Sequence, residues 1–140
     1  MTWRSLCAIG VLTLIGCGEK VPFGVAPVRG KVTYDDGSTI PAHRITISFI
    51  SQTPAKGKEH PRPGNATLNA DGTFTNVTTW NPLDGAIPGK HKLVIQAFDD
   101  KDAPSPAIPE IYADVTKTPV EIDVPAGGGE LPPIKVAKPK

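Results

Sequence analysis

The chain has 140 residues, a formal net charge of +1 and only 6% aromatic residues. That length argues for one domain. The charge balance and the scarcity of aromatics argue against nucleic acid as a partner, since such binding needs a positive surface or a stacking platform.

Residues 1–4 carry one cation, Arg4, and Leu6 to Gly16 is apolar apart from Thr13. A charged start and a short apolar run have the form of a secretory signal, and the run is shorter than the ~20 residues of a membrane span. Leu14-Ile15-Gly16-Cys17 resembles the bacterial lipobox. The resemblance implies that a signal peptidase recognises Leu14, Ile15 and Gly16, removes residues 1–16, and leaves Cys17 as a lipid-modified first residue. The thiol is the nucleophile that such acylation needs, and more than one acyl chain makes a firm anchor. Cys7 leaves with the leader, so the exported domain is expected to hold no free thiol and no disulfide. Gly18, not Asp, follows the cysteine, which by analogy with enteric bacteria favours the outer membrane and its periplasmic face.

Residues 17–27 lack any hydrophobic period and contain Gly and Pro; they read as a lipidated tether. The sandwich-forming region is expected over 28–140, with a short C-terminal tail. Val28, Gly30, Val32 and Tyr34 alternate with Arg29, Lys31 and Thr33, the pattern of a half-buried strand closed by Asp36-Gly37. Ile45, Ile47 and Phe49 mark a second strand. Residues 52–64 hold Pro54, Gly57, Pro61, Pro63 and Gly64, residues that punctuate loops, together with Lys56, Lys58, Glu59 and Arg62.

Residues 65–69 and 73–78 flank Ala70-Asp71-Gly72, which reads as a hairpin. A loop over 79–89 holds Trp80 and Asp84-Gly85, and a long strand follows between Lys90 and Phe98. The Asp- and Pro-rich stretch 99–117 suits neither a regular strand nor a long helix. Val120, Ile122 and Val124 give another strand, Gly127-Gly128-Gly129 a turn, and Ile134 with Val136 a final strand whose edge Pro132 and Pro133 protect. About seven short strands without helical periodicity predict an all-β sandwich.

The body also resembles the small lipoproteins of planctomycete bacteria that carry a carboxypeptidase-regulatory-like, transthyretin-like domain. The matching stretches are Val28 to Gly37, Pro41 with Ile45 to Phe49, and Asn69 to Phe74. They continue with Asp84 to His91, Ile108 to Asp114, and Thr118-Pro119. The resemblance covers most of 28–137 and implies a prealbumin-like Greek-key β-sandwich, but no activity, because one fold hosts many functions. Two departures concern strand register: His91 stands where such strands often carry Tyr, and the alternation breaks at Asn76-Val77.

Candidate chemistry is sparse. A nucleophile needs an adjacent base, and the three histidines, His43, His60 and His91, are scattered. His43 and His91 meet only if their strands are neighbours. Asp99, Asp100 and Asp102, and the pair Asp35-Asp36, lack the D-x-D-x-D-G spacing of a calcium loop and read as solvated turn residues. No catalytic residue, metal or cofactor is therefore expected.

Trp80 in a polar loop either stacks on a sugar ring or partner or plugs the end of the sandwich, the plug being favoured. Tyr112 is the other candidate contact, although pinning its irregular segment to the core is the simpler role. Asn65-Ala66-Thr67 and Asn76-Val77-Thr78 match the glycosylation acceptor pattern by chance. The expectation is a non-enzymatic module, exported and anchored to a bacterial membrane through lipid on Cys17, that binds a protein partner or contributes to envelope structure. Its partner would be an envelope protein, or a glycan if Trp80 serves as a stacking platform, and not nucleic acid. The contacts would come from loops 52–64, 79–89 and 99–117.

Overall fold

The computed structural model describes residues 21–75 and 77–140. Cys17 and the recognition residues Leu14, Ile15 and Gly16 lie outside the described residues, as do the leader and Asn76.

Eight short strands form among the described residues: β1 (Val28–Tyr34), β2 (Arg44–Ser51), β3 (Gly64–Thr67), β4 (Thr73–Phe74), β5 (Gly89–Phe98), β6 (Glu121–Val124), β7 (Gly129–Glu130) and β8 (Ile134–Val136). One sheet has the order β3-β2-β5-β6. The other has β1 at its centre, with β4 on one side and β7 and β8 on the other. The only helical element among these residues is a 3-10 turn, Glu110–Ala113. The described residues are therefore all-β, two sheets packed face to face.

Alternation decides which side chains enter the space between the sheets, because successive strand residues point to opposite faces. Ile47 and Phe49 of β2, and Leu93 and Ile95 of β5, are fully buried. They meet Val32, Phe74, Ile134 and Val136 from the other sheet in a single core cluster. Each such side chain contributes roughly 1.5–3 kcal/mol on burial. Phe49 and Phe74 cross between the sheets edge to face, ring centroids 5.8 Å apart.

Three features differ from the pattern-based expectation. Asn69, Asp71, Gly72 and Thr73 do make a tight turn, with Gly72 N–H donating to the Asn69 carbonyl at 2.9 Å. Yet β3 pairs with β2, while β4 pairs with β1. The turn is a corner between sheets rather than the apex of a hairpin. After β4 the chain crosses back, and Thr78 bridges Asn65 of β3.

The second difference is at the C-terminal edge. Arg29 pairs with Glu130 and Val32 with Ile134, so Leu131, Pro132 and Pro133 oppose only Gly30 and Lys31. One extra residue is accommodated as a bulge, at the two prolines that lack a donor for the ladder.

The third concerns residues 22–27. Phe23 is 2% exposed and Ala26 3%. Ala26 and Ala86 exchange both backbone hydrogen bonds, at 2.8 and 3.0 Å. Packing thus begins by Phe23, five residues before β1. No period marks this strap because two single side chains hold it, each in its own hole.

Candidate functional site

The register places the loops at two ends. Ser51 pairs with His91 at one end of the β2–β5 ladder, and Arg44 with Phe98 at the other. Loop 52–63 leaves β2 and loop 77–88 enters β5 at the first end, where the strap 22–27 also enters β1. This is the entry end. Loop 99–117 leaves β5 at the far end, beside the turn after β1, where the Tyr34 hydroxyl donates to the Ala107 carbonyl at 2.6 Å. Of the three loops expected to carry contacts, the structure brings 52–64 and 79–89 together and keeps 99–117 apart.

Loop 77–88 is built around Asp84. Its Oδ1 accepts the Thr79 N–H at 2.8 Å, and its Oδ2 accepts those of Trp80 and Asn81 at 3.0 and 2.8 Å. Burial pushes this carboxyl's pKa up, but the Asn81, Thr79 and Trp80 donors outweigh it and hold the group below the usual carboxylate range. The Thr79 hydroxyl donates to the Gly85 carbonyl at 2.6 Å. Gly85, at φ 110°, lies so close to the Ala26 carbonyl that any β-carbon would collide with it. Leu83 has a left-handed backbone, φ 61°, with its N–H donating to the Thr78 hydroxyl at 3.0 Å. It leaves 61% of its surface in solvent. A non-glycine residue in that region of backbone space is uncommon.

Trp80 is partly buried. Its indole Nε1 is enclosed without a hydrogen-bond partner, and the Arg62 guanidinium lies 4.7 Å from the ring centroid. Trp80 is thus neither a fully sunken plug nor a bare platform: one end of the ring is closed in and one face carries a cation. Lys56, at the other side of loop 52–63, donates to the Pro22 carbonyl at 3.2 Å and lies 4.8 Å from the Phe23 ring centroid. Two cation–aromatic contacts therefore tie one loop to both of its neighbours.

On the outer face of the β3-β2-β5-β6 sheet, a shallow hollow of about 530 Å³ runs from Leu83 along the neutral polar side chains of Thr46, Ser48, Asn65, Thr67 and Gln96. At the far end a hollow of about 410 Å³ is lined by Ile40, His43, Leu68 and Asn69.

The remaining sequence candidates are not brought together. Tyr112 is 5% exposed, and its hydroxyl accepts the Ala137 N–H at 2.8 Å. Its side chain is committed to the core and is unavailable as a surface contact. β2 and β5 are indeed neighbours, but His43 N–H meets the Phe98 carbonyl, whereas His91 lies seven residues back along β5. At strand rise that is ~24 Å. His60 is exposed at the entry end.

Asp36, Asp71 and Asp114 each accept the backbone N–H and hydroxyl of the residue two positions on, Ser38, Thr73 and Thr116. The bonds from Thr73 and Thr116 hold the Asp71 and Asp114 carboxyls below the usual range. For Asp36, the Lys138 ammonium is the larger cause and Ser38 the second. Asp99 accepts the Lys101 and Ala103 N–H groups. These carboxylates cap turns, and no group of three or more metal-ligating side chains occurs among the described residues.

The motifs Asp-Gly-Ser and Asp-Gly-Thr signalled the turns at Asp36 and Asp71; no such motif marks the Asp84 cage, which lies within one loop, and the Arg62–Trp80 contact joins residues from separate loops. No helix among the described residues is long and apolar enough to cross a membrane. No family model, curated protein or solved structure matches the chain.

Proposed function

We propose that this chain is a non-enzymatic β-sandwich module of the bacterial cell envelope, lipid-anchored at Cys17, that works by binding a protein partner through its entry end. The proposal takes the sandwich to be of the prealbumin-like, Greek-key kind. The observation that carries the reading is the convergence of loops 52–63 and 77–88 around the Arg62–Trp80 pair. Arg and Trp are the side chains most enriched among residues that dominate protein interfaces. The Asp84 cage preorganises this loop, which lowers the ordering cost of association.

A specific observation favours a second reading, a carbohydrate-binding accessory module using Trp80. The hollow between Leu83, a residue of the Trp80 loop, and the Thr46–Ser48 face is not lined by Trp80 itself but offers neutral hydroxyl and amide groups, the partners that sugar hydroxyls take.

The test is a pull-down from detergent-solubilised envelopes of the host, with wild type, Cys17→Ser and Trp80→Ala in parallel. One protein recovered with wild type and lost with both variants supports the first reading. Enrichment of glycan or wall fragments instead, lost with Trp80→Ala, moves the second ahead.

A further inference from the structure

We infer that the entry end of the sandwich docks on anionic lipid headgroups, with Lys56, Lys58 and Arg62 facing the bilayer. The inference rests on the reading that Cys17 is acylated.

Covalent geometry supplies the first constraint. From Cys17 to Val21 is four residue steps, which span at most ~14 Å. Val21 is 40% exposed, and the chain immediately after it is fixed to the entry end by Phe23, 2% exposed, by the Lys56–Pro22 hydrogen bond, and by the Ala26–Ala86 pair. A bilayer that holds acyl chains on Cys17 therefore lies within that reach of the entry end. The far end stands off by the length of β5, whose ten residues extend ~34 Å.

Charge supplies the second. The loops of the entry end carry Lys56, Lys58 and Arg62 against Glu59 and Asp84. Asp84 turns both oxygens to backbone donors of its own loop. Lys56, Lys58 and Arg62 are all exposed. The far end carries Asp35, Asp36, Asp71, Asp99, Asp100 and Asp102 against Arg44, Lys101, Lys138 and Lys140. An anionic surface attracts basic residues held within a Debye length of it and repels acidic ones. Tether and field thus favour the same orientation, with the acidic end outward.

The chain contains two tryptophans, Trp3 and Trp80. Once residues 1–16 are removed, Trp80, beside Arg62, is the remaining tryptophan and, excited at the red edge of the absorption band where tyrosine does not absorb, reports on this end. The experiment uses full-length protein processed in a bacterial host. Its mass is measured first, then it is reconstituted with vesicles carrying a dansyl headgroup acceptor. Energy transfer from Trp80 is expected to be at least about twofold higher with about one third phosphatidylglycerol than with phosphatidylcholine alone. The excess should vanish in salt of about 0.5 M, where the Debye length is about 4 Å, and in Lys58→Glu, a change at an exposed side chain. Acylated protein with equal transfer in both vesicle types overturns the docking inference and leaves the lipid reading intact. A mass without acyl groups removes the lipid reading and the inference with it.

Discussion

The ring of Phe74 lies over Gly30, so closely that a β-carbon on Gly30 would sit 2.9 Å from the ring's Cζ. Phe74 is 1% exposed and wedged edge-on against Phe49, so the ring has nowhere to retreat. Gly30→Val should destabilise the domain by about 1–3 kcal/mol, the usual cost of overpacking a filled core. Gly30→Ala should cost less. Urea unfolding of both variants checks this; a Gly30→Val protein as stable as wild type would mean the two sheets are more loosely apposed than the Phe49–Phe74 contact implies.

Asp84 gives a prediction with a pH signature. Asp84→Asn keeps the shape but replaces one acceptor oxygen with an amide that faces donor N–H groups. The loss should be about 1–3 kcal/mol, the range for a carboxylate hydrogen bond and for a donor left unpaired. The folded-state pKa is depressed, burial raising it and the three backbone donors lowering it by more. The carboxylate's contribution is therefore complete above the unfolded-chain value of about 3.9 and is lost as pH falls through the lower folded-state value. The stability gap between wild type and variant should stay constant from neutral pH down to about 5 and close only on further acidification. A gap that persists unchanged at the acid limit would show that the charge is irrelevant to the cage.

His91 is 1% exposed, and its Nε2 lies 2.6 Å from the Ile87 carbonyl. A carbonyl only accepts, so Nε2 carries the proton. Nδ1 is left buried without a partner. Its ring meets Phe49 edge to face at 5.8 Å. His91→Phe loses one hydrogen bond but also removes the unpaired nitrogen, and should cost under about 1.5 kcal/mol. His91→Ala opens a hole and should cost roughly 2–4 kcal/mol. The imidazole nitrogen shifts in an NMR spectrum should show the Nε2–H tautomer; the opposite tautomer would break the bond to Ile87.

Much of the strand pattern is legible in the sequence, and the reasons for the exceptions are physical. Arg44–Ser51 and Gly89–Phe98 alternate because each has one face in the core, and Val28–Tyr34 alternates as far as Val32, after which Thr33 and Tyr34 are both buried. The corner at Asn69–Thr73 looks like a hairpin because a local Asp-Gly turn is the same object whether the strands beyond it pair with each other or with partners elsewhere. The deciding contacts, β3 with β2 and β4 with β1, are long-range. The strap escapes notice because Phe23 and Ala26 are three residues apart in a Pro- and Gly-rich run that has no period. Tyr112 was legible as either a contact or a pin. The Ala137 N–H that settles its role lies 25 residues away, out of reach of any local pattern. At the candidate site, Trp80 itself stood out, but the cation on its face comes from a different loop.

That cation yields the last prediction. Arg62 stacked at 4.7 Å shields one face of Trp80 and, as an exposed contact, is worth only about 0.5–1 kcal/mol. Arg62→Ala should therefore leave the fold nearly as stable while raising the accessibility of Trp80 to acrylamide. Arg62→Lys should fall between the two, since a lysine keeps the charge but not the flat guanidinium that stacks on a ring. If Trp80 is the anchor of a protein interface, Arg62→Ala weakens recovery of the partner together with Trp80→Ala, because the two side chains form one surface. If Trp80 instead stacks on sugars, uncovering the ring strengthens glycan retention while Trp80→Ala abolishes it. Opposite signs for the same Arg62→Ala substitution thus separate the two readings.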